Sequence, residues 1–264
     1  MVGRMYSNIA ILCGDTDTAR GCAERFVGKN KYRTASVYYI GDPSEPTEVG
    51  ANPLKTTCRN HNVGLHAYVD EKTTLKAMKK LGVDMVICLW WPHILKKIHR
   101  EIPMVINTHP SYLPYNRGKY PYYWAIMDRT PFGVTIHRIN DGIDTGEIFW
   151  QREIDVTPMD TGEDLYRAAD KRMGELFLEQ MHRISHGDFP DPKRQDDSVA
   201  TSHTSSELDL DAYLDLDEEE HVGSLIDDLR ARTFLNHHSG RVVIIDGKRY
   251  RVHLRLVEDK SEEA

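Results

Sequence analysis

Met85-Val86-Ile87-Cys88-Leu89-Trp90 is an unbroken apolar run with no polar alternation. A strand that reads this way is buried on both faces, as in a parallel sheet covered by helices. Outward from it, Lys72 to Leu81 has helical spacing, with Leu75, Met78 and Leu81 on one side. Ile94 to Ile102 gives another helical pattern and leads to a strand from Met104 to Asn107. Towards the N-terminus, Ile9 to Leu12 is a short apolar run ending at Gly14-Asp15, followed by a helix-like stretch from Thr16 to Val27. Ser36 to Ile40 is rich in β-branched and aromatic residues and reads as a further strand. This alternation predicts an α/β fold: a mainly parallel, Rossmann-like sheet with helices on both faces.

Further along, Tyr120 to Met127 reads as helix, and Phe132 to Ile139 and Glu147 to Ile154 as strands. A long helix is expected from Thr161-Gly162-Glu163-Asp164 to a stop at Gly187. Asp188 to Ser206, with two prolines and a Thr-Ser-His-Thr-Ser-Ser run, reads as a surface linker. Val222, Leu225, Ile226 and Leu229 form one helical stripe. A hairpin closes the pattern: Val242 to Ile245, a turn at Asp246-Gly247, then Tyr250 to Leu256. The expected organisation is a main domain over 1–187, a linker over 188–206 and a small C-terminal helix-plus-hairpin extension over 207–264.

The 264 residues, 40% hydrophobic and 28% charged, suit a globular chain with a sizeable core. No stretch is apolar for long enough to cross a bilayer, and Met1 to Ser7 lacks the apolar segment of a secretory signal, so a cytoplasmic protein with no membrane partner is expected. Cys13, Cys22, Cys58 and Cys88 are widely spaced and read as free thiols, and His237-His238 has no carboxylate at ligand spacing, so no metal site is expected. With 41 acidic and 34 basic side chains the net charge is −7, which opposes a nucleic-acid partner. The basic clusters Lys96, Lys97, Arg100 and Lys248, Arg249, Arg251 fit exposed sides of a helix or strand. The acidic run from Asp215 to Glu220 points the same way.

The chemistry concentrates in Asn107-Thr108-His109-Pro110-Ser111-Tyr112-Leu113-Pro114-Tyr115-Asn116-Arg117-Gly118. It starts at the C-terminal end of a buried strand, where α/β sheets place their ligand crevices. Asn107 and His109 are two apart, so an extended backbone points both side chains the same way. A second signal is Asn140-Asp141-Gly142-Ile143-Asp144-Thr145-Gly146, in which two glycines bracket Asp144. A carboxylate on such a turn is suited to orient an imidazole, and amide, imidazole and carboxylate together suit acyl transfer.

Asn107-x-His109-Pro110-Ser111-x-Leu113-Pro114-x-x-Arg117-Gly118, followed by Gly133-Val134-Thr135-Ile136-His137 and Asp141-Gly142-Ile143-Asp144-Thr145-Gly146, resembles the formyltransferase family that uses N10-formyltetrahydrofolate. The similarity covers roughly Ile9 to Gly187. It implies a catalytic triad of Asn107, His109 and Asp144. It also implies a folate pocket at Leu89, Trp90, Trp91, His93, Ile94 and Leu95, with Asn140, Asp141, Gly142 and Ile143 opposite. The Trp90-Trp91 pair fits plain core packing equally well.

Among acceptors, Asp15 and Asp17 beside Gly14 would oppose the phosphate that glycinamide ribonucleotide enzymes bind there. The tail is too short for the β-barrel of methionyl-tRNA enzymes. Pro110 to Lys119, Trp124, and Leu229-Arg230-Ala231-Arg232-Thr233-Phe234 with the hairpin look most like sugar-nucleotide N-formyltransferases, which modify amino-dideoxy sugars for surface polysaccharides such as lipopolysaccharide O-antigen. On this resemblance Tyr115, Arg117, Gly118, Lys119 and Tyr120 would face a dTDP-, UDP- or GDP-linked amino sugar, and the hairpin would serve a homodimer. The alternatives are a methionyl-tRNA or other small-amine formyltransferase, and a non-catalytic folate-binding relative.

Overall fold

A computed structural model describes residues 6–40, 53–209, 211–234 and 240–259. The chain runs β1 (Ile9–Cys13), α1 (Asp17–Lys29), β2 (Thr34–Tyr39), α2 (Pro53–Asn60), β3 (Gly64–Ala67), α3 (Glu71–Lys80) and β4 (Met85–Leu89). There follow α4 (Ile98–Glu101), β5 (Met104–His109), β6 (Arg117–Gly118), α5 (Pro121–Met127), β7 (Phe132–Arg138) and β8 (Ile148–Ile154). The last elements are α6 (Gly162–His186), β9 (Ser202–His203), α7 (Val222–Ala231), β10 (Arg241–Ile245) and β11 (Lys248–Val252). Contacts divide the chain into two compact units. One comprises Met1–His109, Thr135–Gln151 and Lys171–Gln195, the other Pro110–Val134, Arg152–Asp170 and Asp196–Ala264.

A seven-stranded sheet, most of whose residues belong to the first unit, has the order β3-β2-β1-β4-β5-β7-β8. Pairs β2/β3, β1/β2, β1/β4 and β4/β5 are parallel, and β5/β7 is antiparallel. The expected mainly parallel α/β sheet is what the chain forms. Both β1 and β4 are buried at every position, which explains why neither shows polar alternation. On α1, Thr16 caps the first turn by accepting the Ala19 amide at 3.0 Å, and Ala19, Cys22, Ala23, Phe26 and Val27 form the buried stripe. Asp70 caps α3 in the same way, accepting from the Thr73 amide at 2.8 Å.

Some local expectations shift. α2 and β3 were not legible: β3 has only four residues, among them Gly64 and His66, and shows no apolar alternation. Leu81 ends α3 as its cap and is exposed, not part of the buried side. The helix expected over Ile94 to Ile102 shrinks to α4. At its start the amides of Lys96, Lys97 and Ile98 all donate to the Glu71 carboxylate (2.8, 2.6 and 2.8 Å).

In the second unit, β10 and β11 pair from Arg241↔Val252 to Ile245↔Lys248 around Asp246-Gly247. Both turn residues have positive φ (52° and 71°), the conformation a tight two-residue hairpin needs. The second hairpin strand is Lys248–Val252, earlier than the expected Tyr250 to Leu256. β9, inside the segment read as linker, pairs in parallel with β6. α5 packs on α7, where the buried Asp228 accepts from Tyr123 Oη (2.6 Å), Arg232 Nε (2.7 Å) and Arg241 Nε (2.7 Å). Arg230 donates to Asp227 and to the carbonyls of Thr157 and Asp160. The arginines of the 229–234 motif are thus structural within this unit.

Candidate active site

Asn107 and His109 stand on the last residues of β5, and the antiparallel register with β7 sets Asn107 opposite His137 and His109 opposite Thr135. Alternate residues share a face, so an amide and two imidazoles are placed by the pairing of two strands. Asp144 reaches this group from the turn between β7 and β8. Its carboxylate lies 3.6 Å from His109 Nδ1 and 3.5 Å from His137 Nε2. His109 and His137 side chains are 7% and 1% exposed and Asp144 15%, so the charge sits in a largely water-excluded pocket. The two ring planes are close to perpendicular, with centroids 6.2 Å apart.

His137 was not singled out as a functional residue from the sequence, although it ends the Gly133–His137 motif. Its Nδ1 faces the Arg138 carbonyl at 2.8 Å; a carbonyl only accepts, so Nδ1 carries the hydrogen there. With the ring neutral, Nε2 accepts from Asn107 Nδ2 at 3.4 Å. An amide NH2 holds two hydrogens, so the second can serve a reacting oxygen.

The turn is built to hold Asp144. Its φ is 52°, a left-handed conformation that Asp tolerates better than most residues. Asn140 Oδ1 accepts from the Gly142 amide (3.2 Å) and Thr145 Oγ1 (2.8 Å). Gln195 Nε2 donates to the carbonyls of Asp144 (2.8 Å) and Gly146 (2.6 Å), a brace hidden in the stretch read as linker. At Gly146 a Cβ would stand 1.7 Å from the Arg138 carbonyl oxygen, so the turn can lie against β7 only with glycine.

The residues expected to wall a folate pocket behave differently from one another. Leu89 and Leu95 are core side chains, Leu95 packing among Leu12, Cys88 and Ile98. Trp90 turns the chain with φ 50°, its amide donating to Thr108 Oγ1 at 3.0 Å, while that hydroxyl donates to the Cys88 carbonyl. Trp91 and His93 form an aromatic group with Tyr68, which sequence reading did not pick out: Tyr68 lies edge-on to Trp91 at 4.7 Å and stacked on His93 at 5.6 Å. Ile94 and Ile143 are 60% and 51% exposed. Asp141 points at α4, accepting from His99 Nε2 (2.9 Å) and Arg100 Nε (2.7 Å), and these partners hold its carboxyl below the usual range.

The residues expected to meet the acceptor lie in the second unit. Arg117 is buried and donates to Asp197 at 2.8 Å. Gly118 has φ 90°, and a Cβ there would meet the His203 carbonyl oxygen at 2.2 Å. Lys119 is exposed and Tyr115 half-buried, while Tyr120 starts α5 with φ 55°. Beside them Trp124 stacks on His203 at 3.9 Å. Asp15 and Asp17, in the first unit, are both salt-bridged to Arg20. His237-His238 lies outside the described residues; among the described residues no group of three or more His, Cys, Asp or Glu is arranged to hold a metal.

Residues 30–181 match the family described as formyl transferase, and residues 206–258 match the N-formyltransferase dimerization C-terminal domain. The chain belongs to the formyl transferase family. It is 30% identical over 159 residues to the dTDP-4-amino-4,6-dideoxyglucose formyltransferase of Mycobacterium bovis, covering 60% of this chain and 67% of that one. The fold is shared with a 4-N formyltransferase from Francisella tularensis (TM-score 0.74, 22% identity, 97% and 100% of the two chains). It is shared also with the Helicobacter canadensis N-formyltransferase in complex with folinic acid and dTDP-3-aminofucose (TM-score 0.70, 18% identity, 92% and 85%). The chain also matches a curated methionyl-tRNA formyltransferase at 28% identity, spanning 58% of its length.

Proposed function

We propose that the chain is an N-formyltransferase that moves the formyl group of N10-formyltetrahydrofolate to the amine of a nucleotide-linked amino-dideoxy sugar. The observation that carries this is the gathering of Asn107 and Asp144 around the buried His109 at the end of β5. The neutral amine of the acceptor attacks the formyl carbon, and negative charge develops on the formyl oxygen. Asn107 Nδ2 and a protonated His109 donate to that oxygen, where preorganised donors act most strongly. Asp144 holds the His109 ring and favours its cationic form as charge builds. The ammonium formed on attack gives up its proton, directly or through water, to the Asp144 carboxylate, and that proton is passed on to N10. The bond from carbon to N10 then breaks, and N10 leaves as a protonated amine. No step calls for a metal.

Donor contacts are assigned to the Trp90–Ile94 segment and the Asn140–Ile143 turn, largely through backbone groups, and Tyr68 joins them. Lys119, Tyr115 and Tyr120 are assigned to the acceptor, with Lys119 as the exposed cation for its diphosphate. The named activity of the Mycobacterium bovis relative and the folinic acid and dTDP-3-aminofucose bound to the Helicobacter canadensis protein support this reading. The match of 206–258 to a dimerization domain supports a homodimer. No helix among the described residues is long and apolar enough to cross a membrane, in keeping with the cytoplasmic setting proposed here for polysaccharide precursor synthesis.

The test is turnover with N10-formyltetrahydrofolate on dTDP-, UDP- and GDP-linked amino sugars, beside charged initiator tRNA, with and without chelator. Formylation of at least one sugar nucleotide, unaffected by chelator, is expected. Formylation of the tRNA alone would replace the acceptor, and folate binding with no transfer to any amine would leave a non-catalytic relative.

A further inference from the structure

Glu71, at the start of α3, makes contacts that its position in sequence does not announce. One oxygen, Oε1, accepts the amides of Lys96 (2.8 Å), Lys97 (2.6 Å) and Ile98 (2.8 Å), some 25 to 27 residues away. These amides would be the unsatisfied donors at the start of α4, and a carboxylate there is the strongest acceptor the chain can offer. The amides hold the Glu71 carboxyl below its ordinary value even though burial opposes this.

What Glu71 seats is short but well connected. Upstream, the same segment carries Trp91, His93 and Ile94. Downstream, His99 and Arg100 both donate to Asp141 Oδ1, at 2.9 and 2.7 Å. The His99 side chain is 5% exposed and its Nδ1 is buried with no hydrogen-bond partner, so the ring is committed to Asp141 through Nε2. Asp141 follows Asn140, whose side chain ties Gly142 and Thr145 around Asp144. Hydrogen bonds therefore tie α3 to the start of α4 and α4 to Asp141 in one wall assigned to the folate donor, while the other wall, Trp90–Ile94, runs into α4 through the backbone.

We infer that Glu71 is a positioning residue for the formyl donor: it seats α4, and α4 through His99 and Arg100 holds the Asn140–Thr145 turn opposite. This rests on the folate reading above. Glu71 touches no substrate, so its effect should fall on donor binding before it falls on chemistry. A four-residue helix cannot keep this place by its own backbone bonds, since so few residues close hardly one intrahelical bond.

The experiment compares wild type, Glu71→Gln and Glu71→Ala. Binding of 5-formyltetrahydrofolate is followed by calorimetry, and KM for donor and acceptor by steady-state kinetics. Glu71→Ala should raise the donor Kd and KM about tenfold and leave the acceptor KM within about twofold, as expected when charge-assisted bonds are lost from one wall only. Glu71→Gln keeps an acceptor oxygen and should restore part of the loss. Should the alanine variant fail to fold, Glu71→Gln decides alone, with a donor KM raised about threefold expected on the same grounds. Donor affinity unchanged in a folded variant, or donor and acceptor KM rising together, would overturn the inference. Wild type that binds no folate would instead remove the functional reading and this inference with it.

Discussion

Asp144→Asn separates charge from shape. Asparagine has nearly the same volume and tolerates the left-handed backbone (φ 52°) that Asp144 adopts. The turn is braced from outside the side chain, since Gln195 donates to the carbonyls of Asp144 and Gly146 at 2.8 and 2.6 Å. The fold should therefore survive, with Tm within about 4 °C of wild type, the shift expected for ~1 kcal/mol in a chain of this size. What disappears is a negative charge 3.6 Å from His109 Nδ1. At an effective dielectric of about 20, a full charge at that separation is worth roughly 4.6 kcal/mol to an imidazolium. Asp144 keeps His109 cationic for the developing oxyanion and takes the amine proton, so kcat should fall by about three orders of magnitude, each ~1.4 kcal/mol being tenfold. KM for either substrate should change little. The assay is release of tetrahydrofolate with chromatographic detection of the formylated sugar nucleotide. Turnover within tenfold of wild type in a normally folded variant would refute the role given to Asp144.

Gly146→Ala should cost at least about 2 kcal/mol and lower activity with it, because the added carbon would meet the Arg138 carbonyl oxygen at 1.7 Å and the turn must move. Denaturant melts and turnover measured together check this. Asp228→Ala strands three donors around a buried site and should destabilise by about 3–5 kcal/mol, seen as a lowered urea midpoint. Burial raises the thiol pKa of Cys58 to about 12 and pushes those of Cys13 and Cys88 higher still. These three should resist iodoacetamide in the native protein up to about pH 9 and react on unfolding, as counted by mass spectrometry.

Sequence alone determined the parts of this protein that depend on local pattern. The apolar run of β4 dictated a strand buried on both faces. Asp246-Gly247 dictated a hairpin turn, since few other dipeptides tolerate two positive φ values. Asn107, His109 and Asp144 stood out because they sit at a strand end and between glycines in a pattern shared with a known family. Only the tertiary structure decided what depends on partners far apart in the chain. His137 joins the site because the β5–β7 register sets it opposite Asn107, and a register is not written in either strand by itself. Gln195 lies in a stretch whose composition says linker, yet it braces the Asp144 turn. The helix legible from Ile94 to Ile102 starts only at Ile98, where Glu71, remote in sequence, accepts the amides of Lys96, Lys97 and Ile98. Arg117, expected to face the acceptor, is buried and meets Asp197 and the Thr201 carbonyl, partners some eighty residues away that neither stretch announces. Local propensity is additive along a few residues; a hydrogen-bond acceptor delivered from elsewhere in the fold can outweigh it, and no window of sequence contains that acceptor.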